Sequence, residues 1–485
     1  MVDKPEKLSP GRKAAFACGD VFGGGAFNIL NFLYPAYAAL TLGLGASLTG
    51  IIVMLSKIWD AVTDPFMGLI SDGTRSRMGK RRVYILAGAP LVLVSMVLLF
   101  FPWNISSTAL RFIAALLSYM FFATVETMVM IPYYSLSSEI SSDYTERAKA
   151  NTLRIGFSVA SSIVCVAVPN LIVNAVGQPS GYIVMSVAFG LLFALTLTVT
   201  ALWAKEEVVS PPVRAKFSFK EFVKPLRCKS FRGYMGMQVC AGTTMAVMSG
   251  VFFFYIMYVV KSGNTLAAGG VGDGLGTMAA GVMFAMQIVA LPLYLKIIRA
   301  KSKASAYRVG AAGWIAVAFL LLFVPPDLPD SLNWIIFVMA ALIGLGVSGA
   351  VLAPHTMIGD VNDAFELQFG ARSEGAVSGL LNLLNKTGQA LGVGIALNLL
   401  ELAGGFVNPA PGEYIAAQPQ SAQTMLTLFM ALTPLVIMTI GILISRRYKI
   451  TEQKQREIAD FNARFAAAEN KAALEEERQR LLDTL

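Results

Sequence analysis

Histidine and cysteine are both scarce in this sequence. The chain of 485 residues contains one histidine, His355, and four cysteines, Cys18, Cys165, Cys228 and Cys240. The cysteines lack the spacing of a zinc site or of a disulfide framework, and no Ser/His/Asp or Cys/His combination is present. A single histidine also leaves little acid–base machinery. We therefore expect neither an enzyme nor a protein that depends on a cofactor.

Charged residues are few as well. They make up 14% of the chain, whereas hydrophobic residues make up 55%, and the mean hydropathy is +0.63, which exceeds that of ordinary soluble domains. Apolar runs recur that can each cross a hydrocarbon core about 30 Å thick as a helix. These runs lie near 14–42, 46–71, 83–103, 108–137, 152–177, 180–203, 233–260, 274–298, 307–325, 333–358, 373–404 and 420–445. The sequence therefore predicts an all-α membrane protein with twelve transmembrane helices.

The basic residues follow the topology of the predicted spans. The net charge is +9, but lysine and arginine concentrate in alternate loops, at 71–82, 141–154, 204–232, 296–308 and 445–449. In the other loops Lys261 is the one notable basic residue. This pattern is typical of membrane insertion rather than of nucleic-acid binding, and the positive-inside rule places both termini in the cytoplasm. The polar start predicts no signal peptide, so we expect a multi-pass protein of the plasma membrane, the inner membrane of a bacterium, with the lipid bilayer as its surroundings.

The chain divides into two similar halves. Residues 204–232, rich in proline and charge, separate six spans from six. Patterns after the second and fourth spans recur about 222 to 227 residues later, after the eighth and tenth, which indicates an internal duplication. We therefore predict a six-helix bundle over 1–203, a cytoplasmic linker over 204–232, a second bundle over 233–448 and a cytoplasmic helical tail over 449–485. Two parallel pseudo-symmetric bundles are typical of the major facilitator fold, with its substrate site near the membrane midplane.

The tail is highly charged and rich in helix-forming residues. Ile458, Phe461, Phe465 and Ala468 fall on one helical face. A helix that lies against the bundle or in solvent is one interpretation, and a regulatory or partner-binding tail is the other.

Few ionisable side chains lie inside the predicted spans. They are Asp20, Lys57, Asp60, Asp64, Glu126 and Lys386. Each charged group at the bilayer centre costs roughly 2.5 to 3.5 kcal/mol, and such groups usually mark the path of an ion or a substrate. The pattern therefore favours a transport function.

Asp60 and Asp64 lie one helical turn apart, so their side chains share one face of the second span. Two neighbouring carboxylates in a low-dielectric setting favour a bound cation or a shared proton. Carboxylate and hydroxyl oxygens suit a hard monovalent cation such as Na⁺, and Thr63 lies beside the pair. Lys57, one turn before Asp60, offers a counter-charge when the cation is absent. A static ion pair between Lys57 and Asp60 is the alternative.

The stretch "DAVTDPFMGLISDGTRSRMGKRR" resembles the second-span signature of the glycoside, pentoside and hexuronide:cation symporters, the melibiose permease group of the major facilitator superfamily. Further similar stretches are "IPYYSLSSEI", "TERAKANTLR", "PHTMIGDVND", "GARSEG" and "NLLNKTGQALG". The resemblance implies alternating access. It also implies a role for each of the following residues: Asp60 and Asp64 in the coupling-cation site, Thr127 as a further ligand, Arg154 and Lys386 in the central cavity, and Asp72 and Arg75 in the cytoplasmic gate.

The sequence also departs from that family. Gly24 and Met130 stand where the melibiose branch has aspartates that bind sugar hydroxyls. Glu126 is instead the intramembrane carboxylate on the fourth span, where it either contacts substrate or a proton, or forms a buried helix-to-helix hydrogen bond. The predicted substrate-binding residues are Glu126, Arg154, Lys386, Asn382, Tyr134 and Asn28.

The resulting hypothesis is cation-coupled symport, with Na⁺ or H⁺, of a sugar, glycoside or sugar acid by a monomer. Two basic groups in the cavity would suit an anionic sugar derivative. An amphiphile such as a lysolipid is the alternative substrate, because lipid-carrying relatives share the paired aspartates. A membrane sensor that transports nothing is a further alternative, although it would not need a coupling-cation pair.

Overall fold

A computed structural model describes residues 8–141, 144–206, 218–261, 274–370, 374–409, 415, 417–467 and 474–484. Within these residues all regular secondary structure is helical. The prediction of an all-α fold is therefore confirmed. Parts of two motifs named above, "TERAKANTLR" and "GARSEG", and most of the linker fall outside the described residues or side chains.

The first predicted span is an interrupted helix. It consists of α1 (Pro10–Cys18), α2 (Asp20–Asn28), a π-helical turn (Ile29–Leu33), α3 (Tyr34–Ala36) and a second π-helical turn (Tyr37–Thr41). Pro35 has no N–H to donate to the preceding turn, and that turn is where the first π-helical segment lies. At Gly24 a Cβ would lie 2.4 Å from Ser158 Oγ, so α2 approaches the fifth span closely.

Five longer helices complete the first half. They are α4 (Gly45–Asp72), α5 (Arg82–Leu99), α6 (Thr108–Glu139), α7 (Tyr144–Val176) and α8 (Ser180–Trp203). α5 packs against α6 and α8, and α2 packs against α7. The short helix α9 (Phe219–Phe222) follows in the linker.

The second half repeats this succession of helices. It contains α10 (Lys229–Tyr255) with a π-helical end (Ile256–Val260), α11 (Gly274–Val289), α12 (Leu291–Ala300), α13 (Lys303–Leu320), α14 (Trp334–His355), α15 (Ile358–Phe369), α16 (Glu374–Leu402), α17 (Gln420–Thr433) and α18 (Thr439–Ser445). Two interruptions coincide with proline. Pro292 lies in the first turn of α12, and Pro434 begins the π-helical turn that joins α17 to α18.

Ten helical stretches of the described residues are long and apolar enough to span a membrane. The other two predicted spans correspond to the interrupted first helix and to α16. Both carry polar side chains within their helices, such as Asn31 on the first and Asn385 and Lys386 on α16. Polar groups at that depth are expected on helices that line a cavity.

The molecule has two distinguishable ends. We call the end that carries the basic loops the basic end and the opposite end the neutral end. The two halves meet through α4 with α16 and α7 with α11, and Phe32 packs edge-on against Phe252 and Phe284 between them. Contacts between the halves reach the neutral end at the start of α4, where Ser47 bonds to Glu401. Tyr134, His355 and Asn382 line the central cavity nearer the basic end and are exposed. The cavity is therefore accessible from the basic end.

The tail folds back on the second half as two helices, α19 (Glu452–Ala467) and α20 (Glu475–Asp483). Both pack against α15: Asn462 Nδ2 donates to the backbone carbonyl of Asp363 at 2.9 Å, and the Arg478 guanidinium donates to that of Leu367 at 2.8 Å. Ile458 and Phe461 are buried, whereas Ala468 lies outside the described residues. The apolar face of α19 thus covers part of the bundle.

Candidate cation and substrate site

Asp60 and Asp64 are the centre of the site. Both side chains are buried on α4, with relative exposures of 8% and 7%. The hydroxyl of Thr127, from α6, lies 2.6 Å from Asp60 Oδ1 and 3.0 Å from Asp64 Oδ1 and can donate to either. The periodicity of α4 accounts for the alignment of the two carboxylates, since residues one turn apart share a helix face.

Lys386 of α16 faces the other oxygens of the same carboxylates. Its Nζ lies 2.6 Å from Asp60 Oδ2 and 2.6 Å from Asp64 Oδ2. Each carboxylate thus has one oxygen towards a hydroxyl and one towards an ammonium group. Because α4 and α16 belong to opposite halves, this ion pair joins the halves within the length of both helices.

Lys57 does not take the counter-charge position expected from the sequence. Its Nζ donates to Asn31 Oδ1 at 2.7 Å and to Gln389 Oε1 at 3.3 Å, and no ion pair with Asp60 occurs among the described residues. The lysine side chain extends from α4 towards the first helix and α16, where two amide oxygens accept its protons. Lys386, from the opposite half, occupies the position beside the carboxylates.

Two other residues predicted for the site face elsewhere. The hydroxyl of Thr63 donates to the backbone carbonyl of Asp60 at 3.1 Å, so it is used within α4 and Thr127 provides the hydroxyl instead. Asn28 is buried and donates to the backbone carbonyl of Gly24 at 2.8 Å. Asn31, almost one turn later, is the amide of this helix that lines the cavity.

A cavity of about 400 Å³ lies beside the two aspartates. Four of the residues that the sequence assigned to the substrate line it: Glu126, Lys386, Asn382 and Tyr134. Arg154 does not line the cavity. Its guanidinium pairs with Asp20 at 3.3 Å and lies 5.5 Å from the ring of Tyr134, so it supports the wall at the basic end.

Sequence reasoning missed Gln238 and Met245 of α10, which line the same cavity. Gln238 is an amide in an otherwise apolar span, and this is the signal that could have identified it. Two amide acceptors of the lining, Gln238 Oε1 and Asn385 Oδ1, are buried without a hydrogen-bond partner among the described residues. Buried acceptors of this kind require a donor, and ligand hydroxyl groups can supply one.

The cavity contains more negative than positive groups. Asp60, Asp64 and Glu126 are its carboxylates, and Lys57 and Lys386 are its ammonium groups. Glu126 has no hydrogen-bond partner within the described part of the chain, so its carboxylate is available to a ligand. One monovalent cation would balance these five groups when all are ionised.

The predicted gate residues lie at the basic end of the first half. Asp72 pairs with Arg81, and Arg81 Nη2 also lies 3.1 Å from Glu139 Oε1. This network joins the end of α4, the start of α5 and the end of α6 within one half. Arg75, the other predicted gate residue, is exposed, and the guanidinium that pairs with Asp72 is that of Arg81, because the turn before α5 brings it back towards α4.

Comparison with known proteins identifies the family of this chain. Residues 15–452 match the family described as MFS/sugar transport protein. A glucuronide carrier protein homolog of Escherichia coli is 26% identical, over 93% of this chain and 95% of the relative. A sodium-dependent lysophosphatidylcholine symporter of Gallus gallus is 23% identical, over 93% of this chain and 89% of the relative.

A solved structure supports the fold. A bacterial homologue of the human drug peptide transporters superimposes with a TM-score of 0.62 over 90% of this chain and 97% of that chain, at 14% identity. The match of family, relatives and fold confirms the resemblance identified from the sequence motifs. The chain belongs to the MFS/sugar transport protein family and is a cation-coupled symporter of the major facilitator type.

Proposed function

We propose that the protein transports a sugar or glycoside together with one monovalent cation, which binds Asp60 and Asp64 in exchange for Lys386. The observation that carries the proposal is the position of Lys386 Nζ, 2.6 Å from an oxygen of each aspartate. An ammonium group and a sodium ion carry the same charge and are attracted by the same oxygens. Thr127 and the four carboxylate oxygens are the ligands available to the ion.

The exchange of Lys386 for the cation gives a physical reason why cation binding is coupled to substrate transport. Two buried carboxylates without a counter-charge are strongly destabilising, so either Lys386 or the cation must neutralise them. When the cation binds, Lys386 is released from α4, and the ion pair between the halves is lost. Release also frees an ammonium group beside the cavity, where it can contact the substrate.

The lining of the cavity favours a polar substrate of sugar size. A volume of about 400 Å³ is within the range of small-molecule sites. Asn382, Asn385 and Gln389 of α16 can bond to hydroxyl groups, and Glu126 offers a carboxylate in place of the aspartates that are absent at Gly24 and Met130. Because one cation already balances the charged groups of the cavity, a neutral sugar is favoured over a sugar acid.

A lysolipid is the second candidate substrate. The relative from Gallus gallus is a sodium-dependent lysophosphatidylcholine symporter, and an apolar pocket adjoins the central cavity at Met245, which lines both. That pocket measures about 40 Å³, room for about three water-sized spheres. A long acyl chain does not fit there, which favours the sugar.

We also propose an orientation of the protein in the membrane. The basic end faces the cytoplasm, the halves 1–203 and 233–448 move as two bundles, and the structure is open to the cytoplasm. In this arrangement inward movement of one cation supplies about 2.3 kcal/mol per 100 mV of membrane potential.

The decisive experiment is flux of labelled solute in proteoliposomes, with an imposed gradient of Na⁺ or of protons. Asp60→Asn and Asp64→Asn should each abolish accumulation against a substrate gradient. Thr127→Val should weaken the affinity for the cation, whereas Thr63→Val, the matched control, should leave it unchanged because that hydroxyl bonds within α4. Full accumulation in both aspartate variants would refute the cation site, and an absence of flux for every solute would favour a sensor.

The substrate is identified by thermal-shift measurements with neutral glycosides, glucuronides and lysophosphatidylcholine, each with and without Na⁺. Cation-dependent stabilisation by a neutral glycoside is expected. Stabilisation only by glucuronides would assign the released Lys386 to a carboxylate, and stabilisation only by lysophosphatidylcholine would replace the sugar with the lipid.

A further inference from the structure

The start of α4 is capped by residues of the opposite half. Leu44 precedes the helix and offers no side-chain acceptor. Instead, the backbone N–H of Ser47 donates to Glu401 Oε2 at 2.7 Å, and that of Ala46 donates to Asn408 Oδ1 at 3.2 Å. Glu401 belongs to α16, and Asn408 follows it in the chain. The first N–H groups of a helix lack partners inside the helix, so these two acceptors complete α4 from outside its own half.

The backbone around this contact is shaped for close approach. Gly45 has a φ of +77°, and a Cβ there would lie 2.5 Å from the amide of Asn408. At Gly50 a Cβ would lie 3.1 Å from the carbonyl oxygen of Gly394. Two glycines on α4 and one on α16 therefore allow the helices to meet at backbone distance next to the capping groups.

The same two helices carry the proposed cation site. α4 holds Asp60 and Asp64, and α16 holds Lys386 and Glu401. The two points of attachment are separated along α4 by about 20 Å, from Ser47 to Asp60. If a cation releases Lys386, the contact at the neutral end remains to hold α4 against α16.

We propose that Glu401 and Asn408 are positioning residues that close the neutral end by capping α4 in trans. The cap exists only while the halves meet at this end, so it stabilises the conformation open at the basic end relative to the conformation open at the neutral end. Glu401 makes the stronger contribution, since a carboxylate at a helix N-terminus interacts favourably with the helix dipole as well as with the N–H group. The effect of the cap on transport rests on the proposed function, whereas the cap itself does not.

Isosteric substitutions separate the cap from general packing. Asn408→Asp keeps the oxygen that accepts from Ala46 and should preserve the cap, whereas Asn408→Leu removes it. Glu401→Gln keeps an acceptor but loses the charge, and Glu401→Leu loses both. Loss of one capping side chain should shift the equilibrium towards the neutral-open conformation about fivefold.

The first test is hydrogen–deuterium exchange of the full-length protein without substrate. Peptides that contain residues 45–50 should exchange about fivefold faster in Asn408→Leu and faster still in Glu401→Leu, with Glu401→Gln intermediate and Asn408→Asp no faster than the parent. Peptides from α5 report on global folding and should exchange as in the parent. Parental exchange at 45–50 in both leucine variants would overturn the proposal, as would equal acceleration in Asn408→Asp.

The second test measures a property that simple destabilisation does not improve. In proteoliposomes of known orientation, the KM for substrate added at the neutral end should fall about fivefold in Glu401→Leu, because the state that binds from this end is more populated. An unchanged or higher KM from this end would contradict a role in closure. The exchange experiment needs neither substrate nor cation, so it can fail or succeed independently of the proposed function.

Discussion

Lys386 is the residue on which the charge balance of the cavity depends. It bridges Asp60 and Asp64 across the two halves, whereas Lys57 bonds to two amide oxygens. Both lysines line the same cavity. Lys57 lies one turn before Asp60 on α4, and Lys386 reaches the carboxylates from α16. Lys386 neutralises two carboxylates, whereas the partners of Lys57 are uncharged, and this difference can be measured.

Lys386→Met should destabilise the protein in the absence of a coupling cation. Removal of one partner of a buried ion pair typically costs about 3 to 5 kcal/mol, and the two aspartates then rely on the cation alone. The melting temperature in cation-free buffer should fall, and the increase on adding the coupling cation should be larger than in the parent. Thermal unfolding over a titration of Na⁺, repeated over a titration of pH, measures both quantities.

Lys57→Met is the matched control for this prediction. It leaves the contact between Lys386 and the aspartates intact, so the stabilisation by cation should remain parental. If the two lysine variants respond equally to the cation, Lys386 is not the group that the cation displaces.

Some of the residues of the site could be predicted from the sequence and others could not. The spacing of Asp60 and Asp64 predicts their shared face, because both lie on one regular helix. The choice between Lys57 and Lys386 depends on which helices approach each other, and a single sequence does not contain that information. The same reason explains why Thr127, known here from the family resemblance, rather than Thr63 provides the hydroxyl.

At the scale of single helices, the start of α5 depends on a side chain distant in sequence. Arg81 precedes α5 and provides no side-chain cap. The carboxylate of Glu206, which follows α8, instead accepts from the backbone N–H groups of Lys80, Arg81 and Arg82 at 3.0, 2.7 and 3.2 Å. Gly79 has a φ of +104°, and a Cβ there would lie 2.5 Å from this carboxylate. The basic loop before α5 is thus folded around one acidic group.

Glu206→Leu should loosen the beginning of α5. Three backbone donors lose their acceptor, and an unsatisfied buried donor costs about 1 to 3 kcal/mol. Peptides that cover residues 79–85 should exchange deuterium faster, and the thermal stability should fall. Glu221→Leu, in the neighbouring linker and without such contacts to backbone N–H groups, serves as the control. Equal effects of the two substitutions would mean that Glu206 acts only through surface charge.

The helices themselves were largely predictable from the sequence, since long apolar runs determine which segments can cross a bilayer. The interruptions were not. The first span appears in the sequence as one apolar run over 14–42, but π-helical turns at Ile29–Leu33 and Tyr37–Thr41 divide it. Pro35 marks the region, yet the displaced hydrogen bonds that form each turn depend on how the neighbouring helices pack.

At the scale of the whole molecule, the tail and the loops of the second half form one polar layer at the basic end. α15 is central to this layer. Asp360 accepts from Lys303 Nζ at 2.7 and 2.8 Å and from the hydroxyl of Tyr448 at 3.1 Å, and α19 and α20 also pack against α15. The tail is thereby connected to the helix that precedes α16, on which Lys386 lies.

Truncation after Lys449 tests whether this layer is structural or regulatory. Loss of α19 should expose the apolar surface under Ile458 and Phe461 and lower the thermal stability, with a substrate affinity within about twofold of the parent because the cavity is untouched. Arg478→Ala removes the contacts to the carbonyls of α15 and should have a smaller effect in the same direction. Faster transport at parental stability would instead assign a regulatory function to the tail.

The close approach of Gly50 and Gly394 divides α4 into a short part towards the neutral end and a long part towards the basic end. From Gly50 to Asp72, α4 extends about 33 Å towards the basic end. The portion on the other side of the contact is only a few residues long. A rotation of about 15° about this contact would move the far end of α4 through about 9 Å while the near end hardly moves. The point about which α4 would turn therefore lies near the neutral end, and one rotation displaces the basic end of the helix much farther than the neutral end.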